Sequence, residues 1–489
     1  MTSKPRHLHP LAMLVDSIQL LWMLIVLVFV DLVSDNAARA SLINGATRWL
    51  VLVILAVVAA LALFVVLPYW RTTYELSNQG ITLNQGVLRR QHRHVTYARI
   101  QTVQHLQWFF MKPLHLEKVQ IETAARGGGS GEIVLTLVPI AVGQEIEARH
   151  QAARAANQTA NIEVPVAQEM PTTPAVRATT YQLPMDELML FGITSLGFVP
   201  LLLLLIAVGS RVSDFFPGLV DWASRLVTRL PVLAVIVVGL LALVGGIIIE
   251  FARILIRYWG FTLSFDGQQL HSRKGLLQTS TVTAHARRIQ AVRYKQNIIR
   301  QWLHVGTAQV ILAANVANNE DDKDMVIYPL AHQDKVWMLL SKYVNWLPAP
   351  LRALHVVSTG YWALIRNAMI LPAIVVLPCL IWLRPWGWFS LALLVWGGVQ
   401  GRYAATRRGY AIQGHFAWLQ TGRWFERELL VVPRIRVQSL TVRQSWWMVR
   451  TGLAHVRVIL RRGDGDYQVD LRYVPLAVGD ALYRWYIGN

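Results

Sequence analysis

RIQTV (Arg99 to Val103), RIQAV (Arg288 to Val292) and RVQSL (Arg436 to Leu440) are one stretch written three times. Each joins a basic residue, a β-branched apolar residue, a Gln, a small residue and an aliphatic. An aliphatic follows every Arg by seventeen positions: Leu116, Val305 and Leu453. Alternating strand-forming residues come next, Val119 and Ile121, Ala308 and Val310, Val456 and Val458. Arg288 and Arg436 lie 189 and 337 positions after Arg99, and the surrounding matches keep those offsets. Thirteen positions before the first two Args stand Gly86 and Gly275, and fourteen before the third stands Gly422, a one-residue insertion. A long apolar region precedes every copy. The unit is a hydrophobic hairpin followed by a small β-rich domain, used three times.

Composition agrees with a membrane chain. Of 489 residues, 54% are hydrophobic and 15% charged, with a formal net charge of +19. So apolar a composition is unusual for a soluble protein. The basic excess is scattered through β units and turns beside the apolar spans. With no basic tail or nucleic-acid motif, it reads as Lys and Arg kept on one side of a membrane, and no nucleic-acid partner is expected. The single Cys379 excludes an intramolecular disulfide and a Cys-rich metal site. The short basic N-terminus precedes a segment too long for a signal-peptide core, so a retained first span is expected.

Taken in order, 11–68 reads as a first transmembrane hairpin, with spans Leu11 to Val33 and Trp49 to Leu67, each about the 20 residues that cross a bilayer core. Residues 69–153 form the first β domain, with hairpin signals at Asn78-Gln79-Gly80 and Asn84-Gln85-Gly86 and a closing helix from about Gly143 to Ala153. The Ala-, Thr- and Pro-rich stretch 154–180 reads as a disordered linker. The second hairpin occupies 187–256, with spans Leu188 to Val208 and Leu230 to Ile256, and the second β domain 257–345, whose acidic tip (Asn318 to Asp324) reads as a solvated turn. The third hairpin occupies 361–400, with spans Tyr361 to Leu383 and Trp386 to Val399, and the third β domain 401–489. Six spans place both termini and all three β domains on one side. The Lys and Arg bias of the flanks predicts that this side is cytoplasmic.

Paired spans followed by a small β domain with a terminal helix resemble the YdbT-type bacterial membrane-flanked proteins, which carry pleckstrin-homology-like (PH-like) domains. The resemblance covers nearly the whole chain. It rests on His9-Pro10-Leu11, on the aromatic exit Tyr69-Trp70-Arg71, and on the Gly-aliphatic pairs ahead of the first two Arg-Ile-Gln cores. The third copy departs from it, with Arg423-Trp424 after Gly422 and the motif one residue late. The resemblance implies a mixed membrane fold: six transmembrane helices in three hairpins, each followed by a seven-stranded, strongly bent barrel capped by a C-terminal helix. It also implies a multi-pass protein of the bacterial inner membrane, a smaller paralogous membrane protein with a PH-like domain as partner, and a link to resistance against envelope-directed agents.

No Walker loop, nucleophile elbow, HExxH motif or His-Cys cluster is present, so neither an enzyme nor a metal or other cofactor is expected. The repeated pairs Arg99 and Gln101, Arg288 and Gln290, and Arg436 and Gln438 alternate with apolar residues. Period two places each Arg and Gln on one strand face, as a structural brace or a partner-binding groove. The juxtamembrane cations Arg71, Arg89, Arg90, Arg93, Arg257, Arg273, Lys274, Arg407 and Arg408 are expected to hold the domains against anionic lipids, at about 1 kcal/mol each. A scaffold that assembles a complex at the membrane accounts for these features. The rival reading is a transporter with regulatory β domains, whose pathway residues would be Asp16, Asp31, Glu250, Arg253 and Arg366. Each of these lies near a span end, where it can reach water.

Overall fold

The computed structural model describes residues 5–13, 67–87, 89–123, 132–160, 179–195, 197, 232–313, 324–351, 354–382, 386–463 and 465–488. The first module contains β1 (Arg6–His7), β2 (Thr73–Leu76), β3 (Gly80–Gln85), β4 (Gln91–Thr96), β5 (Ile100–Trp108), β6 (Leu116–Thr123) and β7 (Glu132–Pro139), closed by helix α1 (Ile140–Ala160). The second contains β8 (Thr179–Gln182), helices α2 (Met185–Ile193) and α3 (Val232–Tyr258), β9 (Thr262–Phe265), β10 (Gln269–Lys274), β11 (Gln278–His285), β12 (Ile289–Asn297), the short α4 (Ile298–Trp302), β13 (Val305–Leu312), β14 (Met325–His332) and α5 (Val336–Leu340). The third contains β15 (His355–Val356), α6 (Tyr361–Trp382), α7 (Leu391–Thr406), β16 (Gly409–Gln413), β17 (Phe416–Arg423), β18 (Glu426–Pro433), β19 (Val437–Arg443), α8 (Trp446–Thr451), β20 (Leu453–Arg462), β21 (Gly465–Pro475) and α9 (Leu476–Ile487).

Each module therefore begins before its apolar hairpin. Arg6 lies opposite Tyr74 and His7 opposite Thr73. Tyr181 lies opposite Leu263, and His355 opposite Tyr410. In sequence, each apolar segment lies between the first and second strands of its module. This moves the boundaries placed at 69, 257 and 401. It also takes both ends of the expected linker 154–180 into regular structure, the first in α1 and the last in β8. The remainder, 161–178, lies outside the described residues.

Strand alternation builds the cores. In β3, Ile81 and Leu83 are buried while Thr82 and Asn84 face outward. Tight turns follow at Gly86 (φ +108°) and Gly275 (φ +107°), where a Cβ would sit 2.1 Å and 2.0 Å from a backbone carbonyl oxygen. Gly422 is not their counterpart. It lies within β17, and the equivalent two-residue turn is Trp424-Phe425, with φ of 54° and 60°.

The expected closed barrels are absent from the described strands. The sheets are four-stranded (β1-β2-β3-β4), seven-stranded (β7-β6-β5-β11-β10-β9-β8), seven-stranded (β14-β13-β12-β18-β17-β16-β15) and three-stranded (β19-β20-β21). The edge that would close one module pairs instead with the next module. Its backbone groups are satisfied there.

Two described helices are long and apolar enough to cross a membrane: Gly239–Tyr258 within α3, and α6. Only 12% and 11% of their apolar windows are buried. Leu371, Ile374 and Leu377 of α6 are open to the surroundings, as lipid-facing residues would be. Of six expected spans, those at 11–33 and 49–67 lie almost wholly outside the described residues, as does 188–208 beyond 197. The start of the third span is corrected. Leu188 and Phe191 are buried in the second module's core, so the first turns of that segment belong to the β domain. The sixth is shorter than a span. The 16 residues of α7 reach about 24 Å, preceded by a 3₁₀ turn at Trp386–Ser390. Helix α7 packs closely on α6. A Cβ on Gly401 would lie 2.6 Å from Ile365 Cα, and one on Gly397 2.9 Å from the Ala368 carbonyl oxygen, so small residues set the approach. At Gly245 in α3 a Cβ would meet nothing within 4 Å among the described residues.

Candidate interaction site

The two seams between modules share one register. In the first, β5 pairs antiparallel with β11 and places Val103 opposite Thr283. In the second, β12 pairs with β18 and places Val292 opposite Val431. In both, the residue four after one motif Arg faces the residue five before the next. The repeat is thus a coupling rule as well as a domain rule.

The motif forms the corner that turns the chain from one sheet into the other. Arg99, Arg288 and Arg436 each end a 3₁₀ turn, and the strand starts at the following residue. Pairing skips from Ile100 to Thr102, from Ile289 to Ala291 and from Val437 to Ser439. Each Gln is therefore the extra residue of a β-bulge. This corrects the expectation that Arg and Gln share a strand face, because the bulge and the turn break period two between them. Gln101 and Gln290 are buried, Gln438 is exposed. Gln290 Nε2 donates to the Arg288 carbonyl at 3.2 Å. Arg436 Nη2 reaches across the second seam to the Arg287 carbonyl at 3.0 Å.

The first seam is polar. Gln104 Nε2 donates to Ser280 Oγ at 3.4 Å, and Thr283 Oγ1 donates to Glu147 Oε1 at 3.2 Å. On the first module's side, His105 Nδ1 lies 3.1 Å from Glu117 Oε1, and its Nε2 lies 3.8 Å from Glu147 Oε2. Burial alone would lower the His105 pKa. The hydrogen bond and charge of Glu117, with Glu147 behind, outweigh it and raise the pKa above the ordinary 6.5. A raised folded value means that His105 contributes its full stabilisation below the unfolded pKa and loses it as pH rises through the folded one. In thermal unfolding of the intact protein, wild type should therefore fall towards His105→Gln as pH rises above 6.5. A gap that widens with pH would refute the assignment.

The second seam is apolar and ionic. Ala411, Trp418 and Val431 of the third module join the second module's core, and Ala291 and Ile311 of the second join the third's. Trp337 and Trp418 meet edge to face at 4.8 Å. Asp324, read from the sequence as part of a solvated turn, is 4% exposed. It pairs with Arg293 of β12, and Arg462 of β20 lies 2.9 Å away, off the line of a hydrogen bond. Arg293 Nη1 also approaches Glu428 Oε1 at 3.6 Å and Tyr467 Oη at 3.4 Å. Burial opposes the charge on Arg293, but Asp324, Tyr467 and Glu428 together hold its pKa above the ordinary value. Burial and Glu428 push the Tyr467 hydroxyl up. Lys295 Nζ meets Glu426 Oε2 at 2.8 Å at the rim. Arg427 Nε donates to the buried Gln296 Oε1 at 2.9 Å.

The expected membrane-contact cations divide. Arg71, Arg89, Arg90 and Arg273 are exposed, and Arg93, Arg257 and Arg407 are half-buried. Lys274 Nζ lies 4.9 Å from the centre of the Tyr258 ring. Arg408 is buried and is corrected to a structural role. Its Nη1 donates to the Arg472 and Tyr473 carbonyls, each at 2.7 Å, and its Nη2 to the Thr359 carbonyl at 3.0 Å. Burial lowers its pKa to about 10. Of the polar residues weighed as a pathway, Glu250 is held by Arg253 at 2.8 Å and Ser195 at 3.2 Å. Arg366 stacks between Trp362 and Trp447 at the start of α6. Asp16 and Asp31 lie outside the described residues.

Sequence reasoning missed an apolar rim. The β10–β11 turn is tied to the foot of α3, Gly275 N donating to the Trp259 carbonyl at 2.9 Å and Leu276 N to the Ile256 carbonyl at 2.8 Å. Exposed Leu276 and Leu277 stand there. In the third module Trp424 meets Trp396 of α7 at 5.5 Å. The segments after β5, β12 and β19 also expose large apolar groups: Phe109 and Phe110, Trp302 at the end of α4, and Trp446 at the start of α8. Phe109 and Trp446 both lie ten positions after their motif Arg, and that shared offset was the available signal. Among the described residues no group of three or more His, Cys, Asp or Glu is placed to hold a metal ion.

A profile of the bacterial PH domain matches this chain three times, over residues 24–154, 198–344 and 357–489. The chain is also similar to a UPF0699 transmembrane protein, YdbT, of Bacillus subtilis (strain 168). They are 23% identical over 99% of each chain. With three matches that together cover most of its length, and seven strands and a terminal helix in each repeat, the chain belongs to the bacterial PH domain family.

Proposed function

We propose that this protein is a membrane-anchored scaffold whose three PH-like modules form one strand-coupled array that assembles a protein complex at the bilayer surface. The shared register of the two seams carries the reading. Independent domains on flexible tethers would not need the same pairing twice. The apolar rim supports seating on the membrane. It gathers exposed Leu276, Leu277 and Trp424 at the feet of the apolar helices, where amphipathic and aromatic groups sit favourably. Exposed Arg71, Arg89, Arg90 and Arg273 add attraction to anionic lipids, about 1 kcal/mol for each near the surface. In this reading the modules and both termini face the cytoplasm of a bacterium, the protein partner is a smaller membrane protein of the same family, and the setting is defence of the envelope.

Crosslinking in the native membrane, followed by affinity purification and mass spectrometry of protein and lipid, tests the reading. Wild type should recover a reproducible protein partner. Glu428→Lys, which sets a cation against Arg293 across the second seam, should lose it while the variant still inserts and accumulates. Retention of the partner would detach assembly from the seam. Recovery of the chain alone with a stoichiometric small solute would favour transport.

A further inference from the structure

Among the described strands the array has two open ends. Strand β19 occupies the place of β5 and β12, yet it is the edge of its three-stranded sheet, and β4 is the edge of the four-stranded sheet at the other end. The difference shows at the bulge, where Gln101 and Gln290 are buried but Gln438 is exposed. Two internal seams already show what such an edge accepts.

A second copy of this chain is the wrong occupant. Under the common register Leu440 would face His94, and Arg443 would stand where Lys295 stands in the second seam. Lys295 is met there by Glu426, with Glu428 opposite it in the ladder. The corresponding residues of the first module are Arg89 and Gln91, flanked by Arg90 and Arg93. Arg443 would thus have Gln91 opposite it in the ladder and Arg89 at the diagonal position from which Glu426 meets Lys295. Two cations would repel where the second seam has an ion pair. Glu147, which accepts across the first seam, also has no acidic counterpart. Gly143 and Gly479 correspond, as do Ile146 and Leu482, and Tyr483 takes the place of Glu147.

We propose that the β19 edge docks, by strand addition, an acidic β-strand of a different polypeptide, one that carries carboxylates where β18 carries Glu426 and Glu428. The same charge pattern stops the array from growing head to tail into a filament. This inference rests on the scaffold reading and identifies the surface and the chemistry of its partner.

The test uses the full-length protein in nanodiscs and a fluorescent peptide of residues 416–433, the β17–β18 hairpin. The native peptide should bind about tenfold more tightly than its Glu426→Lys, Glu428→Lys form, and Arg443→Glu in the protein should reverse that order. Leu430→Cys in the peptide should form a disulfide with Thr441→Cys in the protein, because Leu430 faces the residue equivalent to Thr441, Arg293, in the second seam. Absence of this crosslink, affinity indifferent to charge, or concentration-dependent self-association through β19 and β4 would each overturn the proposal. An internal Lys295→Cys, Glu428→Cys disulfide separates the two claims. If it forms while the peptide fails to bind, the inference falls and the scaffold stands. If it does not form, both fall.

Discussion

Replacing Asp324 by Ala should destabilise the second and third modules together, by about 3–5 kcal/mol, the cost of removing one partner from a buried ion pair. Asp324 is 4% exposed and touches guanidinium groups from both modules, Arg293 and Arg462. Without the carboxylate those two cations confront each other across a core that admits little water. Tyr467 and Glu428 remain near Arg293, so part of its charge stays compensated. Denaturant unfolding of the detergent-purified protein, with fluorescence and limited proteolysis as separate probes, should show the two modules losing stability in one transition. A loss below about 1 kcal/mol, or one confined to the third module, would mean that the seam is not a cooperative interface.

The second large effect should come from Arg408→Met. The substitution keeps most of the aliphatic stem but orphans the carbonyls of Thr359, Arg472 and Tyr473. These belong to the segment before the third hairpin and to β21, so one side chain ties the entrance of that hairpin to the module beneath it. A buried acceptor left unmade costs about 1–3 kcal/mol, and a loss of about 3 kcal/mol or more is expected for the set. Arg89→Ala with Arg90→Ala should leave unfolding within about 0.5 kcal/mol of wild type, because both residues are exposed. The same unfolding assay checks both. If Arg408→Met is as mild as the Arg89, Arg90 pair, the carbonyl ties do not hold the module.

The repeat and the strand content of each module could be read from the chain, because alternation and glycine turns write themselves into sequence. Ile81 and Leu83 point inward by alternation, and the chain turns at Gly86, as the Asn84-Gln85-Gly86 signal suggested. What escaped reading has physical causes. Strands β1 and β15 have two residues each, too few to show a period. The seams are made largely by backbone groups, which every residue carries, so pairing between β5 and β11 leaves little trace in composition. Asp324 followed a run of acids and polar residues and was read with them, although the cations that bury it lie 31 positions before it and 138 after. Arg408 sat beside Arg407 at the end of an apolar segment, and only the fold separates a half-buried cation from a buried one. The motif looked like plain alternation because a bulge cannot be seen without its partner strand.

The place of the hairpins within the modules also governs the order of synthesis. Strand β1 emerges first and must wait for β2, which follows only after residues 8–72 have been made. The same delay separates β8 from β9 and β15 from β16. If the intervening apolar segment crosses the membrane out and back, as the proposed scaffold requires, it returns the second strand to the waiting first. A loop that stalls after one crossing leaves the two on opposite faces of the bilayer, where no sheet can form and the module's apolar strands stay open to proteases. In the scaffold reading proposed above, completion of each PH-like module would thus check the insertion that preceded it, and a topological error would become an unfolded domain that the cell can remove.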